Sequence, residues 1–143
     1  MSVARILATK GRDVVTTQPH RTLIEVVQLL GEKGIGAVVV ADPNRRLLGI
    51  ISERDIIRAL SQDGAAALDH AVSKHMTAKV FTVSEDTPVE RVMETMTHGR
   101  FRHVPVTVDG LLVGLVSIGD VVKYHVNEIE NEHRALRDYI TTA

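Results

Sequence analysis

The chain has no cysteine among its 143 residues, so disulfides, thiolate nucleophiles and cysteine-held zinc are excluded, and a reducing, cytoplasmic setting is the expectation. Aromatic residues make up only 3%, which leaves almost no stacking platforms for single-stranded nucleic acid. Neither sign of charge is in excess. Seventeen basic residues stand against 18 acidic ones, a formal net charge of −1, and such a chain has no overall field to draw in DNA, RNA or an anionic membrane. No stretch approaches the roughly 18 uncharged apolar residues of a membrane span, and the start, Met1 to Leu7, lacks the apolar core of a signal peptide. The seven histidines, at 20, 70, 75, 98, 103, 125 and 133, never recur three or four residues apart on one helix face, so no metal site is expected. A Gly-x-Ser-x-Gly elbow is absent, and Ser117 follows Val116 instead of the glycine that a strained nucleophile turn needs, which argues against an enzyme.

What is present is repetition. Thr22, Glu25, Val27, Gly34, Gly49, Ser52 and Asp55 line up with Thr87, Glu90, Val92, Gly99, Gly114, Ser117 and Asp120 at one offset, 120 − 55 = 65 residues. An internal duplication sets the structural unit, and two copies of one unit usually meet about a pseudo-two-fold axis with a cleft between them. Each copy spans about 55–60 residues, too few to bury a comfortable core alone, so the copies are expected to share one. Apolar residues make up 44% of the chain, mostly Val, Leu, Ile and Ala, as in a packed α/β core.

Each copy begins with a short β-branched run, Val14 to Thr17 or Val80 to Val83, followed by Thr-x-x-Glu, the signature of a reciprocally capped helix start. The pairs are Thr22 with Glu25 and Thr87 with Glu90, and Pro88 is expected at the first helical position. Leu23, Val26, Val27 and Leu30 share one helical face, as do Val89, Val92, Met93 and Met96. Gly34 and Gly99 are expected to end these helices in the left-handed conformation. Two hairpins follow, Ala37 to Ala41 with Leu47 to Ile51 and His103 to Val108 with Leu111 to Val116, turned at Asp42-Pro43-Asn44 and Asp109-Gly110. The unbroken Val38-Val39-Val40 implies that both sheet faces are covered. Second helices run from Glu53 to about Gln62 and from Ile118 onward. The unit is therefore β-α-β-β-α, and the fold class α/β (α+β): two tandem units packed as a pseudo-two-fold pair. Residues 1–66 hold the first unit with an N-terminal lead-in, residues 67–125 the second, and residues 126–143 a C-terminal helix extension. That last helix carries Val122, Val126, Ile129, His133, Leu136 and Ile140 at heptad spacing. Its stripe needs a surface to pack on, either its own domain or a second copy of the chain.

The most repeated local motif is Gly-hydrophobic-hydrophobic-Ser-x-x-Asp, at Gly49 to Asp55 and Gly114 to Asp120. It sets a hydroxyl and a carboxylate at a strand-to-helix junction beside free backbone N–H groups, a corner suited to an anion or to a ribose diol. Helix capping alone also accounts for these residue types. Where the first unit reads Gly34-Ile35-Gly36-Ala37-Val38, the second reads Gly99-Arg100-Phe101-Arg102-His103. That basic cluster is either a phosphate clamp or a solvated strand edge. Arg54 adds a cation at the corresponding corner of the first unit.

Gly99 to Val106 followed by Gly114 to Val121, with Gly34 to Val40 and Gly49 to Ile56 as the first copy, resembles the cystathionine-β-synthase (CBS) domain, in register over about Val3 to Val126. The resemblance implies a tandem pair, or Bateman module, that binds an adenosine nucleotide between its repeats. AMP is the foremost candidate, with ATP, ADP, NAD and S-adenosylmethionine as others. It also implies a homodimer acting on a separate effector protein. Carried over by position, one cleft uses Thr22, Ile35, Gly36 and Ala37 around adenine, Asp120 on ribose, and Ser117 with His103 near phosphate. The other uses Thr87, Phe101 and Arg102 with Asp55, Ser52 and Arg54. Pro105, where the first repeat has Val39, is counted among the contacts. The competing reading is a ligand-free dimeric scaffold with vestigial clefts.

Overall fold

The computed structural model describes residues 2–142. Its first long helix starts as the sequence dictates: the Thr22 hydroxyl accepts the Glu25 N–H at 3.4 Å and donates to the Glu25 carboxylate at 3.1 Å. The helices are α1 (Val3–Lys10), α2 (Leu23–Lys33), α3 (Glu53–Asp63), α4 (Val72–His75), α5 (Val89–Gly99) and α6 (Ile118–Thr142), with a 3-10 turn at Gly64–Asp69. The strands are β1 (Thr16–Thr17), β2 (Ala37–Ala41), β3 (Leu47–Ser52), β4 (His103–Val108) and β5 (Leu111–Ser117). They form a three-stranded sheet in the order β1-β2-β3 and a two-stranded sheet β4-β5. Val38, Val39 and Val40 are fully buried, as their unbroken run predicts.

The second repeat departs from the first at three points. Val80 to Val83 forms no strand. Val83 alone bridges Val106, while Val80 and Phe81 line a cavity. Thr87 does not cap with Glu90. Its hydroxyl accepts the Ser84 N–H at 3.1 Å within a tight turn, and Pro88 becomes the residue before the helix. Gly99 stays helical, and the left-handed residue is Arg100, φ 56°, where the first repeat uses Gly34, φ 63°. One cause covers the last two points. Helix and first strand of the second repeat stand at an offset of 66 (89 − 23 and 103 − 37), and Val83 already pairs with Val106 as Thr17 does with Val40 (83 − 17 = 66), so one extra residue has entered ahead of Val83. Arg102 and His103 thereby occupy the places of Gly36 and Ala37. Left-handed backbone costs a non-glycine residue about 1 kcal/mol.

The buried residues fall into two clusters where a shared one was expected, and each cluster borrows from the leading end of the other repeat. Val3, Ile6 and Leu7 of α1 pack with Val92, Met96, Val104 and Val116 of the second repeat. Ala67 and Val72, at the start of the second repeat, pack with Leu23, Val26, Val38 and Ile51 of the first. Sequence order groups α1 with the first repeat; packing places it in the second core. The repeated glycine of each β3-type strand makes room for the visitor. A Cβ on Gly114 would lie 2.8 Å from the Leu7 methyl carbons, and one on Gly49 would lie 2.7 Å from the Thr77 carbonyl oxygen and 2.9 Å from Met76 Sδ. Fully burying a side chain such as Leu7 or Val72 stabilises by about 1.5–3 kcal/mol. The crossing therefore ties the two repeats into one folding unit. The hairpin ends also join: the Leu112 N–H donates to the Arg45 carbonyl at 2.8 Å and the Leu47 N–H to the Gly110 carbonyl at 3.3 Å.

The C-terminal helix α6 buries Val121, packs Tyr124 against the second core and then leaves its neighbours. Val122, Val126, Ile129, Leu136 and Ile140 are all 40% or more exposed, so the heptad stripe does not pack on its own domain.

Candidate functional site

Both Ser-x-x-Asp motifs are reciprocal helix caps. The Ser52 N–H donates to Asp55 Oδ2 at 2.9 Å and the Asp55 N–H to Ser52 Oγ at 3.4 Å. The Ser117 N–H donates to Asp120 Oδ2 at 2.9 Å and the Asp120 N–H to Ser117 Oγ at 3.1 Å. Capping thus explains the residue types at both corners. It does not exhaust the carboxylates, because each retains a second oxygen.

The two corners then diverge. Asp55 is the buried charged residue of the described chain, 8% exposed, and its Oδ1 lies 3.5 Å from the Thr77 hydroxyl and 3.7 Å from Arg58. It borders a cavity of about 630 Å³ at the end of the sheets away from the hairpin turns. The first repeat contributes Gly36, Ser52, Arg54 and Asp55, the second Phe101, Arg102 and His103, and the connecting segment Thr77, Lys79 and Phe81. Phe81 and Phe101 are the chain's two phenylalanines, and their rings stand together at this cavity, centroids 6.2 Å apart and planes 28° from parallel. Arg54, Lys79 and Arg102 supply cations on several sides. The result is an apolar wall, a hydrogen-bonding carboxylate and a basic rim around one space.

At the second corner Lys10 takes the carboxylate. Its ammonium donates to Asp120 Oδ2 at 2.6 Å and to the Leu115 carbonyl at 2.8 Å. Burial pushes the Asp120 carboxyl up, but Lys10 and the hydrogen bonds from Ser117 outweigh it and hold the group below the usual carboxylate range. Neighbouring His103 is held below the usual histidine value, first by burial and then by the Lys10 charge.

Of the residues singled out from sequence, the cavity gathers Gly36, Ser52, Arg54, Asp55, Phe101, Arg102 and His103. The resemblance puts Gly36 and His103 in the Asp120 cleft; both instead line the Asp55 cavity. The others lie outside its lining. Thr22 caps α2, Thr87 closes a turn, Ala37 and Pro105 are buried in strands, Ile35 is 36% exposed, and Ser117 and Asp120 sit under Lys10. Sequence reading missed Thr77, Lys79 and Phe81. The signal was there in Phe81, one of only two phenylalanines, which a strand assignment concealed.

Comparison with known proteins agrees with this architecture. The CBS domain family model matches residues 3–62 and 72–127. The crystal structure of a CBS-domain containing protein from Agrobacterium tumefaciens is 46% identical, with a TM-score of 0.84 over 87% of this chain and 99% of that one. A CBS domain protein from Pyrobaculum aerophilum complexed with AMP is 30% identical, with a TM-score of 0.74 over 84% of this chain and 89% of that one. A CBS domain pair in complex with 5′-methylthioadenosine and S-adenosyl-L-methionine is 27% identical, with a TM-score of 0.79 over 90% of this chain and 98% of that one. Among the described residues no helix is long and apolar enough to cross a membrane. With both repeats matched and the crossed two-sheet fold in place, this chain belongs to the CBS-domain family as a tandem pair.

Proposed function

We propose that this chain is a regulatory module that binds an adenosine nucleotide, AMP foremost, in the Asp55 cavity. The observation that carries the reading is the meeting of three chemistries in that one space. The Phe81 and Phe101 faces suit an adenine ring, the Asp55 carboxylate suits a ribose diol, and Arg54, Lys79 and Arg102 suit a phosphate. A volume of about 630 Å³ is in the usual range for a nucleotide-sized ligand. Two relatives held with adenosine compounds support the ligand class, and the basic rim favours a phosphate-bearing member of it. ADP, ATP, NAD and S-adenosylmethionine remain competitors within the class. The exposed stripe of α6 supports self-association, with a separate effector protein reading the liganded state.

Thermal unfolding with AMP, ADP, ATP, NAD and S-adenosylmethionine tests the reading. A ligand at about 100 times its Kd stabilises by about 2.7 kcal/mol, a shift of a few degrees for a chain of this size. No shift with any of them at millimolar concentration sinks the nucleotide reading and favours a ligand-free scaffold. For self-association, an Ile129→Glu, Leu136→Glu double variant is expected to lower the sedimentation mass from dimer to monomer. A wild type that sediments as a monomer removes the homodimer.

A further inference from the structure

The histidine spacing gives no pair on one helix face, yet the fold assembles one across three short elements. Asp63 ends α3, His70 follows the 3-10 turn, and His75 ends α4. His70 Nδ1 lies 2.9 Å from His75 Nε2 and 3.9 Å from Asp63 Oδ2, and one ligand atom from each residue falls within 4.8 Å of the other two. The imidazole planes are within 7° of parallel with centroids 5.2 Å apart, so the rings meet edge to edge and share a proton between nitrogens.

The backbone around the cluster is fixed. The His70 N–H donates to the Ala67 carbonyl and the His70 carbonyl accepts from Leu23, both at 3.0 Å. Ala67 and Val72, on either side of His70, are fully buried. A tetrahedral ion with bonds of about 2.0–2.1 Å spaces its ligand atoms about 3.3 Å apart. The observed separations bracket that spacing. Parting the two imidazoles by about half an ångström and turning their facing nitrogens toward Asp63 lets an ion take the place of the shared proton, with Asp63 as third ligand and water as fourth. Two imidazoles and one carboxylate favour zinc, cobalt or nickel over magnesium or calcium, which prefer all-oxygen sets.

We propose that Asp63, His70 and His75 form a binding site for a divalent transition-metal ion of the zinc class, which pins the connection between the two repeats. The proposal is independent of any nucleotide. It departs from the expectation that the histidines carry no metal, because the three residues come from separate turns that no periodic spacing reveals.

The test is Zn²⁺ titration by calorimetry on the full, chelator-treated chain without nucleotide, with Co²⁺ absorption as a second probe. Expected is one Zn²⁺ per chain and a tetrahedral Co²⁺ spectrum. Both His70→Ala and His75→Ala should weaken binding by about tenfold or more, Asp63→Asn by less, and His98→Ala and His125→Ala not at all. If His70→Ala does not fold, imidazole NMR of the wild type decides, since Zn²⁺ must shift the His70 and His75 ring signals. No saturable binding at millimolar Zn²⁺, binding that survives both histidine variants, or ring shifts confined to other histidines overturns the site and leaves a hydrogen-bonded histidine pair only.

Discussion

The Asp55 and Asp120 corners share a motif, a cap and a place in their repeats, yet one borders a cavity and the other is closed by a lysine. The difference lies in the visiting lead-in, not in the motif. Lys10 ends α1, and its counterpart in the connection is Lys79, since Leu7 sits at Gly114 as Met76 does at Gly49 and 76 − 7 = 79 − 10 = 69. Lys10 reaches across to Asp120, whereas Lys79 lines the cavity and the Thr77 hydroxyl is the group from the connection that faces Asp55. Two copies of one motif can thus be set apart by what a neighbouring segment places against them. Ser-x-x-Asp read alone cannot tell an open corner from a closed one.

The largest expected contrast is in binding. Asp55→Ala should weaken AMP binding by about tenfold to a hundredfold, the equivalent of about 1.5–3 kcal/mol for lost hydrogen bonds to a charge, while Asp120→Ala changes it by less than about threefold. Calorimetry measures both, with melting curves to separate the loss of a cap, about 1 kcal/mol at either corner. Equal losses would break the comparison. Next is the crossing itself. Gly49→Ala should cost about 2–3 kcal/mol in urea unfolding, because its Cβ meets the Thr77 backbone, and Gly114→Ala about 1 kcal/mol, because Leu7 methyls give way more easily. A reversed order would mean that the connection moves more freely than α1. A smaller change is expected from Lys10→Met, which frees the Asp120 corner. Stability should shift by less than about 1 kcal/mol, since the ion pair is partly exposed, and calorimetry should show a second, weaker AMP site.

The smallest effect is in pH. The folded His103 binds its proton less readily than the unfolded chain does, so stability rises with pH up to the usual histidine value of 6.5 and falls on acidification below it. The depressed Asp120 adds stability that is present above the usual carboxylate value of 3.8 and is lost as pH drops toward its folded one. His103→Gln should therefore flatten the unfolding free energy just below pH 6.5 and leave the acid limb intact. An unchanged profile would place His103 outside the closed corner's electrostatics.

Much of the fold was legible because it is written in local chemistry: the Thr22 cap, the Gly34 stop, the valine run of β2 and the Asp109-Gly110 turn each have a short-range cause. What escaped reading has a long-range one. No property of residues 3–10 announces that they complete the second core, and the extra residue that puts Arg100 in the glycine's place is invisible to an alignment anchored on Thr87 and Gly99. The cavity was half legible for the same reason. Its motif residues repeat, but Thr77, Lys79 and Phe81 reach it only because the connection crosses between the repeats.

That crossing also bears on ancestry. In each half of the chain the segment that would complete its core comes from the leading end of the other half, with Leu7 seated at Gly114 and Met76 at Gly49. A single ancestral unit built this way would have had to exchange its leading segment with a second molecule, as domain-swapped dimers do. Duplication and fusion would make that exchange internal, so that a contract otherwise kept between two molecules is kept within one.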